Sequence, residues 1–107
     1  MPLALGTSFL AMGERMRLVE SNRLEILEIV RRHRGRSVSV FGSVARGDER
    51  TDSDIDFLVE FEEGSSLFDL LHIIEELEAL LGTPVDVVSV GGLKERDHHI
   101  RSEAVPL

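Results

Sequence analysis

Cysteine, tryptophan and tyrosine are absent from this 107-residue chain, and phenylalanine, at five residues, is its only large aromatic side chain. Without cysteine there is no disulfide framework and no cysteine-ligated zinc, so the core rests on apolar packing. The same lack fits a reducing compartment, the cytoplasm. No stretch reaches the ~18 to 20 consecutive apolar residues of a membrane span, and there are no repeats, low-complexity tracts or Pro/Gly-rich linkers. Positive charge is also short: 12 Lys and Arg face 20 Asp and Glu, a net charge of −8. Proteins that grip a nucleic-acid backbone use clustered cations to displace counterions, so general nucleic-acid binding is not expected. The imbalance is uneven. Residues 1–50 carry nine Arg against six acids, and residues 51–107 carry three basic groups against fourteen acids. The second half is a poor nucleic-acid track but a suitable place for a cation.

What is present is enough Leu, Ile and Val, within 42 % apolar residues and 11.9 kDa, for one small core. The opening Met1–Met12 lacks the basic n-region of a secretory signal and runs directly into helix-like sequence. Residues 1–16 therefore read as a loose, disordered extension, with Met12 and Met16 as alternative starts, ahead of a single domain over residues 17–107.

From Arg17 to Arg34, Leu18, Leu24, Ile26, Leu27, Ile29 and Val30 follow a helical stripe, with Gly35 as a stop and Arg31, Arg32 and Arg34 at the negative end of the helix dipole. Ser37–Phe41 alternates like a half-buried strand, and Asp54–Phe61 repeats the pattern. Ser66 with Asp69 three residues on predicts a capping box. The helix it opens runs to Leu81, with Leu67, Leu70, Leu71, Ile74, Leu77 and Leu81 inward and Gly82 as its stop. Pro84–Val90 reads as a third strand and Leu93–Ser102 as a polar helix. This order predicts an α/β (α+β) fold, a small mixed sheet flanked by helices.

The chemistry concentrates in Phe41–Asp56. Strand residues two apart share a face, so Asp54 and Asp56 project together. Paired like charges are costly unless a cation lies between them, and carboxylate oxygens suit Mg²⁺ or Mn²⁺. An Asp-x-Asp pair alone is a weak signal, common at solvated strand ends. Asp86 is the odd residue in a run of valines; if the third strand lies beside the second, it completes a three-carboxylate cluster. Gly42-Ser43 follows a strand and opens a short turn, where backbone N–H groups and a hydroxyl can meet an anion.

Taken together, Gly42-Ser43, Asp54-Ile55-Asp56 and Asp86 resemble the nucleotidyltransferase superfamily that includes DNA polymerase β. Ala45, Arg46, Gly47 and Ser53 extend the match to the minimal nucleotidyltransferases of prokaryotic genomes, over Leu24–Val90 and again over Glu103–Leu107. The resemblance implies a polymerase-β-like fold and transfer of a nucleoside monophosphate from Mg–NTP to an acceptor hydroxyl. It implies that Gly42 and Ser43 hold the triphosphate. Asp54 and Asp56 would bridge two Mg²⁺ ions, while Asp86 binds the metal nearest the acceptor and helps deprotonate it. For Arg46 two roles stand open: reaching the phosphates, or tying the turn down through Asp48 or Asp52.

Larger relatives add a domain that grips the second substrate, and 107 residues leave no room for one. The acceptor is then expected on a separate chain. Minimal nucleotidyltransferases are typically encoded beside a HEPN-domain ribonuclease as the antitoxin of a toxin–antitoxin pair, and in studied pairs AMP passes from ATP to a toxin tyrosine. The resemblance thus implies protein adenylylation of a HEPN toxin, in the cytoplasm. Two alternatives stand beside it: an antitoxin that neutralises its toxin by complex formation, and an aminoglycoside-type nucleotidyltransferase subunit.

The remaining features read as structural. Arg31–Arg36 is a cationic helix end, His98-His99 a solvated pair, His72 a packed side chain, and Glu60, Glu62 and Glu63 a solvated strand end that could tune the nearby site.

Overall fold

Asn22 divides what the periodicity presents as one helix. A computed structural model of the protein describes residues 12–107. In it α1 (Glu14–Ser21) and α2 (Arg23–Arg32) meet at Asn22, whose side chain donates to the Leu18 carbonyl at 2.8 Å. A side-chain amide that competes for helix carbonyls in this way interrupts the ladder. The helical phase restarts, so Ile26, Ile29 and Val30 are buried while Leu24 is 77 % exposed. Residues 1–11, on which most of the expected extension falls, lie outside the described residues; α1 begins at Glu14, inside the segment 1–16.

The expected stop at Gly35 is displaced by one residue. Arg34 takes the left-handed conformation (φ 66°), and Gly35 is the first residue of β1 (Gly35–Phe41). A Cβ at Gly35 would stand 2.2 Å from Val30 Cγ1, so glycine serves the close packing of α2 on the strand.

After β1 come α3 (Gly42–Arg46), β2 (Ile55–Phe61), α4 (Leu67–Leu81) and β3 (Val85–Ser89). Two short 3₁₀ turns lead to α5 (His98–Glu103) and β4 (Val105–Pro106), so the polar segment after β3 is helical only in its second half. The sheet order is β3–β2–β1–β4, with β2 and β3 parallel and both pairings of β1 antiparallel. This is a mixed α/β fold. Val38, Val40, Ile55, Phe57, Val59, Val85 and Val87 turn one sheet face toward Val19, Ile26, Val30, Ile73, Leu77 and Leu81 of the helices.

The capping box forms as predicted: Ser66 Oγ accepts from the Phe68 N–H at 3.2 Å, and Asp69 accepts from the Ser66 N–H at 2.9 Å. The buried stripe of α4 is narrower than expected. Ile73, Leu77 and Leu81 are buried, but Leu67 and Leu71 are 68 % and 48 % exposed. At 100° per residue these two stand about 80° and 120° around the helix from the centre of that stripe. None of the described helices is long and apolar enough to cross a membrane.

Candidate active site

Strand register places the acids. On the sheet face turned away from the helices, Asp56 lies opposite Phe41 of β1 and opposite Asp86 of β3. Partners in register share a face, and adjacent strands are about 4.8 Å apart. Asp54 stands just ahead of β2, on the same alternation as Asp56. Asp54 and Asp86 are exposed, and Asp56 is partly buried.

The consequence shows in Asp56. Burial, the neighbouring Asp86 charge and then the Asp54 charge push its carboxyl up from 3.8 to about 6. Arg46 opposes the shift and Glu103 adds to it. Among the described residues, no three His, Asp or Glu side chains already stand close enough to hold a metal ion. Three mutually repelling carboxylates are expected to stay apart without a counter-charge. They nevertheless fit a divalent cation: all donors are hard oxygens, they share one face, and the charge forced on Asp56 is what a cation would relieve.

Beside the acids, the chain leaves β1 through Gly42, at φ +77°, and enters α3. A Cβ at Gly42 would lie 2.3 Å from Asp56 Oδ2. Both the backbone conformation and the approach of this carboxylate therefore require glycine. The Ser43 carbonyl accepts the N–H groups of Gly47 and Asp48 at 2.9 and 3.0 Å, and Gly47, also left-handed, ends the turn.

Arg46 does not pair with Asp52, one of its two expected anchors. Its Nε donates to Asp48 at 3.3 Å, and its Nη1 donates to both carboxylate oxygens of Glu103 at 3.2 Å. These partners raise its pKa above the usual arginine value, Asp48 first and Glu103 next. The Gly42 N–H also donates to Glu103, at 3.0 Å.

The nucleotidyltransferase domain family matches residues 24–105. The chain belongs to this family. It is 45 % identical over 85 residues to a candidate protein adenylyltransferase of Methanocaldococcus jannaschii, covering 76 % of this chain and 88 % of that protein. It is 51 % identical over 59 residues to the protein adenylyltransferase MntA of Thermococcus cleftensis, covering 55 % of this chain and 60 % of that protein. The solved structure of a minimal nucleotidyltransferase matches at 46 % identity and a TM-score of 0.77, over 85 % of this chain and 94 % of the other. An MNT antitoxin complexed with a tri-AMPylated Shewanella oneidensis HEPN toxin gives a structural match at 19 % identity and a TM-score of 0.53, over 70 % of this chain and 58 % of the matched chain; this shows likeness of fold.

Two further residues of this nucleotidyltransferase carry structure around the site: Glu103 lies inside the Glu103–Leu107 resemblance but with no role assigned by it, and Arg15 lies outside the resemblance. Glu103, on the last helix, reaches back across sixty residues to the Gly42 turn. Arg15, on α1, donates to the carbonyls of Arg50 and Thr51 at 3.2 and 2.5 Å and pairs with Glu49, holding the loop that leads to Asp54. Neither has a local pattern; only strand register and helix packing bring them in.

Other residues stand away from the acids. Arg32 and His33 both bind Glu76, Arg34 donates to the Gly64 carbonyl, and Arg36 pairs with Glu60. His72 is exposed rather than packed, its ring centroid 5.4 Å from that of His33. His98 and His99 are exposed. Glu60 lies four residues along β2 from Asp56, about 13 Å at strand rise, which is too far to tune it through solvent.

Proposed function

We propose that this nucleotidyltransferase is a cytoplasmic antitoxin that adenylylates a partner protein, a HEPN-domain ribonuclease, on a tyrosine hydroxyl and thereby inactivates it. The observation that carries the reading is the Asp56–Asp86 register beside Asp54 and the Gly42-Ser43 turn: an intact acidic cluster next to a glycine-built bend. A chain kept only as a plug for its toxin would have no use for that cluster. The named activity of the M. jannaschii and T. cleftensis relatives and the AMPylated toxin bound by the Shewanella antitoxin support the choice of reaction and partner.

In the reaction, the acceptor oxygen attacks the α-phosphorus of ATP, the bond to the β-phosphate oxygen breaks, and pyrophosphate leaves. Gly42 and Ser43 line the triphosphate, and the Ser43 hydroxyl and N–H serve as its donors. Arg46, with Nε on Asp48 and Nη1 on Glu103, has Nη2 left to offer the same charge. Asp86 takes the proton of the acceptor hydroxyl. Asp54, Asp56 and Asp86 would hold two Mg²⁺ ions, or Mn²⁺, which when bound supply charge neutralisation at the reacting phosphate. Asp54 and Asp86 stand exposed on an open sheet face, which suits an acceptor on a second folded protein.

The test is incubation with ATP, Mg²⁺ and the protein encoded by the adjacent gene, read by intact mass. The expected result is a gain of one or more AMP units on the partner, lost when Asp54 and Asp56 are both changed to Ala. A stable complex with no mass gain would instead assign neutralisation to complex formation.

A further inference from the structure

Val40 pairs with Val105 and Ser39 with Pro106, where the two-residue strand β4 closes the edge of the sheet. Carrying that antiparallel register two residues further brings Glu103 opposite Gly42. Gly42 has turned away from the strand at φ +77°, so its N–H meets no ladder carbonyl there. The Glu103 carboxylate takes that N–H at 3.0 Å and, with the same group, holds Arg46 Nη1 through both oxygens at 3.2 Å. One carboxylate thus ties the first residue of α3 to its last. A five-residue helix has little stability of its own, and its ends need such partners.

We propose that Glu103 is a positioning residue of the nucleotide site: it sets the Gly42–Arg46 turn in the orientation that presents Ser43 and Arg46 to the triphosphate. The inference rests on the nucleotidyl-transfer reading. It has a physical consequence that the reading lacks. With its N–H held by Glu103, Gly42 contributes shape and clearance for Asp56, and phosphate recognition falls to the Ser43 N–H and hydroxyl. Charge-assisted hydrogen bonds are about twice as strong as neutral ones, so an acceptor amide at position 103 retains part of the clamp and a methyl group none.

The experiment compares the full chain with Glu103→Ala and Glu103→Gln in three measurements. These are amide hydrogen exchange over Gly42–Gly47, calorimetric binding of a non-hydrolysable Mg–ATP analogue, and steady-state transfer to the partner. For Glu103→Ala the expected results are faster exchange at Gly42, binding and KM for ATP weakened about tenfold, and a smaller change in kcat. Glu103→Gln is expected to recover much of the exchange protection and part of the affinity. Unchanged exchange at Gly42 would overturn the proposal, whatever the activity. Tighter ATP binding by Glu103→Ala would also overturn it, since the carboxylate would then be competing with phosphate. A wild-type chain that neither binds the analogue nor transfers AMP would overturn the underlying reading, and the exchange result would stand apart from it. If Glu103→Ala melts too low to assay, Glu103→Gln decides: faster exchange at Gly42 together with weaker ATP binding would support the proposal, and protection and affinity both equal to wild type would overturn it.

Discussion

Asp56 and Asp86 lie in register across adjacent parallel strands, and burial of Asp56, followed by the Asp86 charge beside it, pushes the Asp56 carboxyl up to about 6. A raised folded-state pKa means that the native chain binds the Asp56 proton more tightly than the unfolded chain does. The corresponding stability is fully present below about pH 3.8 and is lost as pH rises through about 6. At neutral pH the ionised Asp56 is a cost that the fold tolerates for its site.

Asp56→Asn should therefore stabilise the metal-free protein at pH 7.5. Discounted for solvent screening of a partly exposed group, the gain is on the order of 1–2 kcal/mol, vanishing near pH 4. Thermal melts of both proteins from pH 4 to 8, with chelator present, should diverge as pH rises. Parallel curves would place the charge strain elsewhere.

Mg²⁺ should stabilise the wild type at pH 7.5 through the same acids. Saturation at ten times the dissociation constant adds about 1.4 kcal/mol, and Asp54→Asn or Asp86→Asn should reduce the response. A melting temperature that rises equally in wild type and variants would assign the effect to nonspecific screening.

Gly42→Ala meets two obstacles, a left-handed backbone and the Asp56 carboxylate 2.3 Å from the new methyl group. A loss of about 2–3 kcal/mol in urea unfolding is expected, together with impaired transfer. Pairing it with Asp56→Ala should return part of the loss, because only the steric share depends on that carboxylate.

Arg15→Ala should loosen the approach to Asp54. Its contacts with Glu49, Arg50 and Thr51 join α1 to that loop. Hydrogen exchange over residues 48–54 should quicken, with roughly 1–2 kcal/mol lost from global stability. Exchange that quickens only in α1 would show that the loop holds its own shape.

Local signals were legible where the physics is local. Ser66 and Asp69 form their box because both partners lie within one turn of helix. The alternation around Ile55, Phe57 and Val59 marks a strand because its period is two. The Gly42-Ser43, Asp54-x-Asp56 and Asp86 pattern named the family, which the match over residues 24–105 bears out. Less legible were features in which a residue's role depends on what lies beyond its own segment. Leu71 is as apolar as Leu77, yet only Leu77 meets the sheet. His72 sits among apolar neighbours in sequence and is exposed in space. Asn22 interrupts a continuous apolar stripe through one side-chain hydrogen bond.

Periodicity, capping and composition act within a few residues, so the kinds of element, the family and the residue types available for chemistry could all be read along the chain. Tertiary structure alone decided that β3 lies parallel beside β2, so that Asp86 meets Asp56. It alone decided that a two-residue strand beside β1 delivers Glu103 to Gly42 and Arg46. Strand order and register come from how whole faces bury one another, so an odd residue such as Asp86 can be noticed in the chain while the neighbour it meets is settled only by contacts between distant segments.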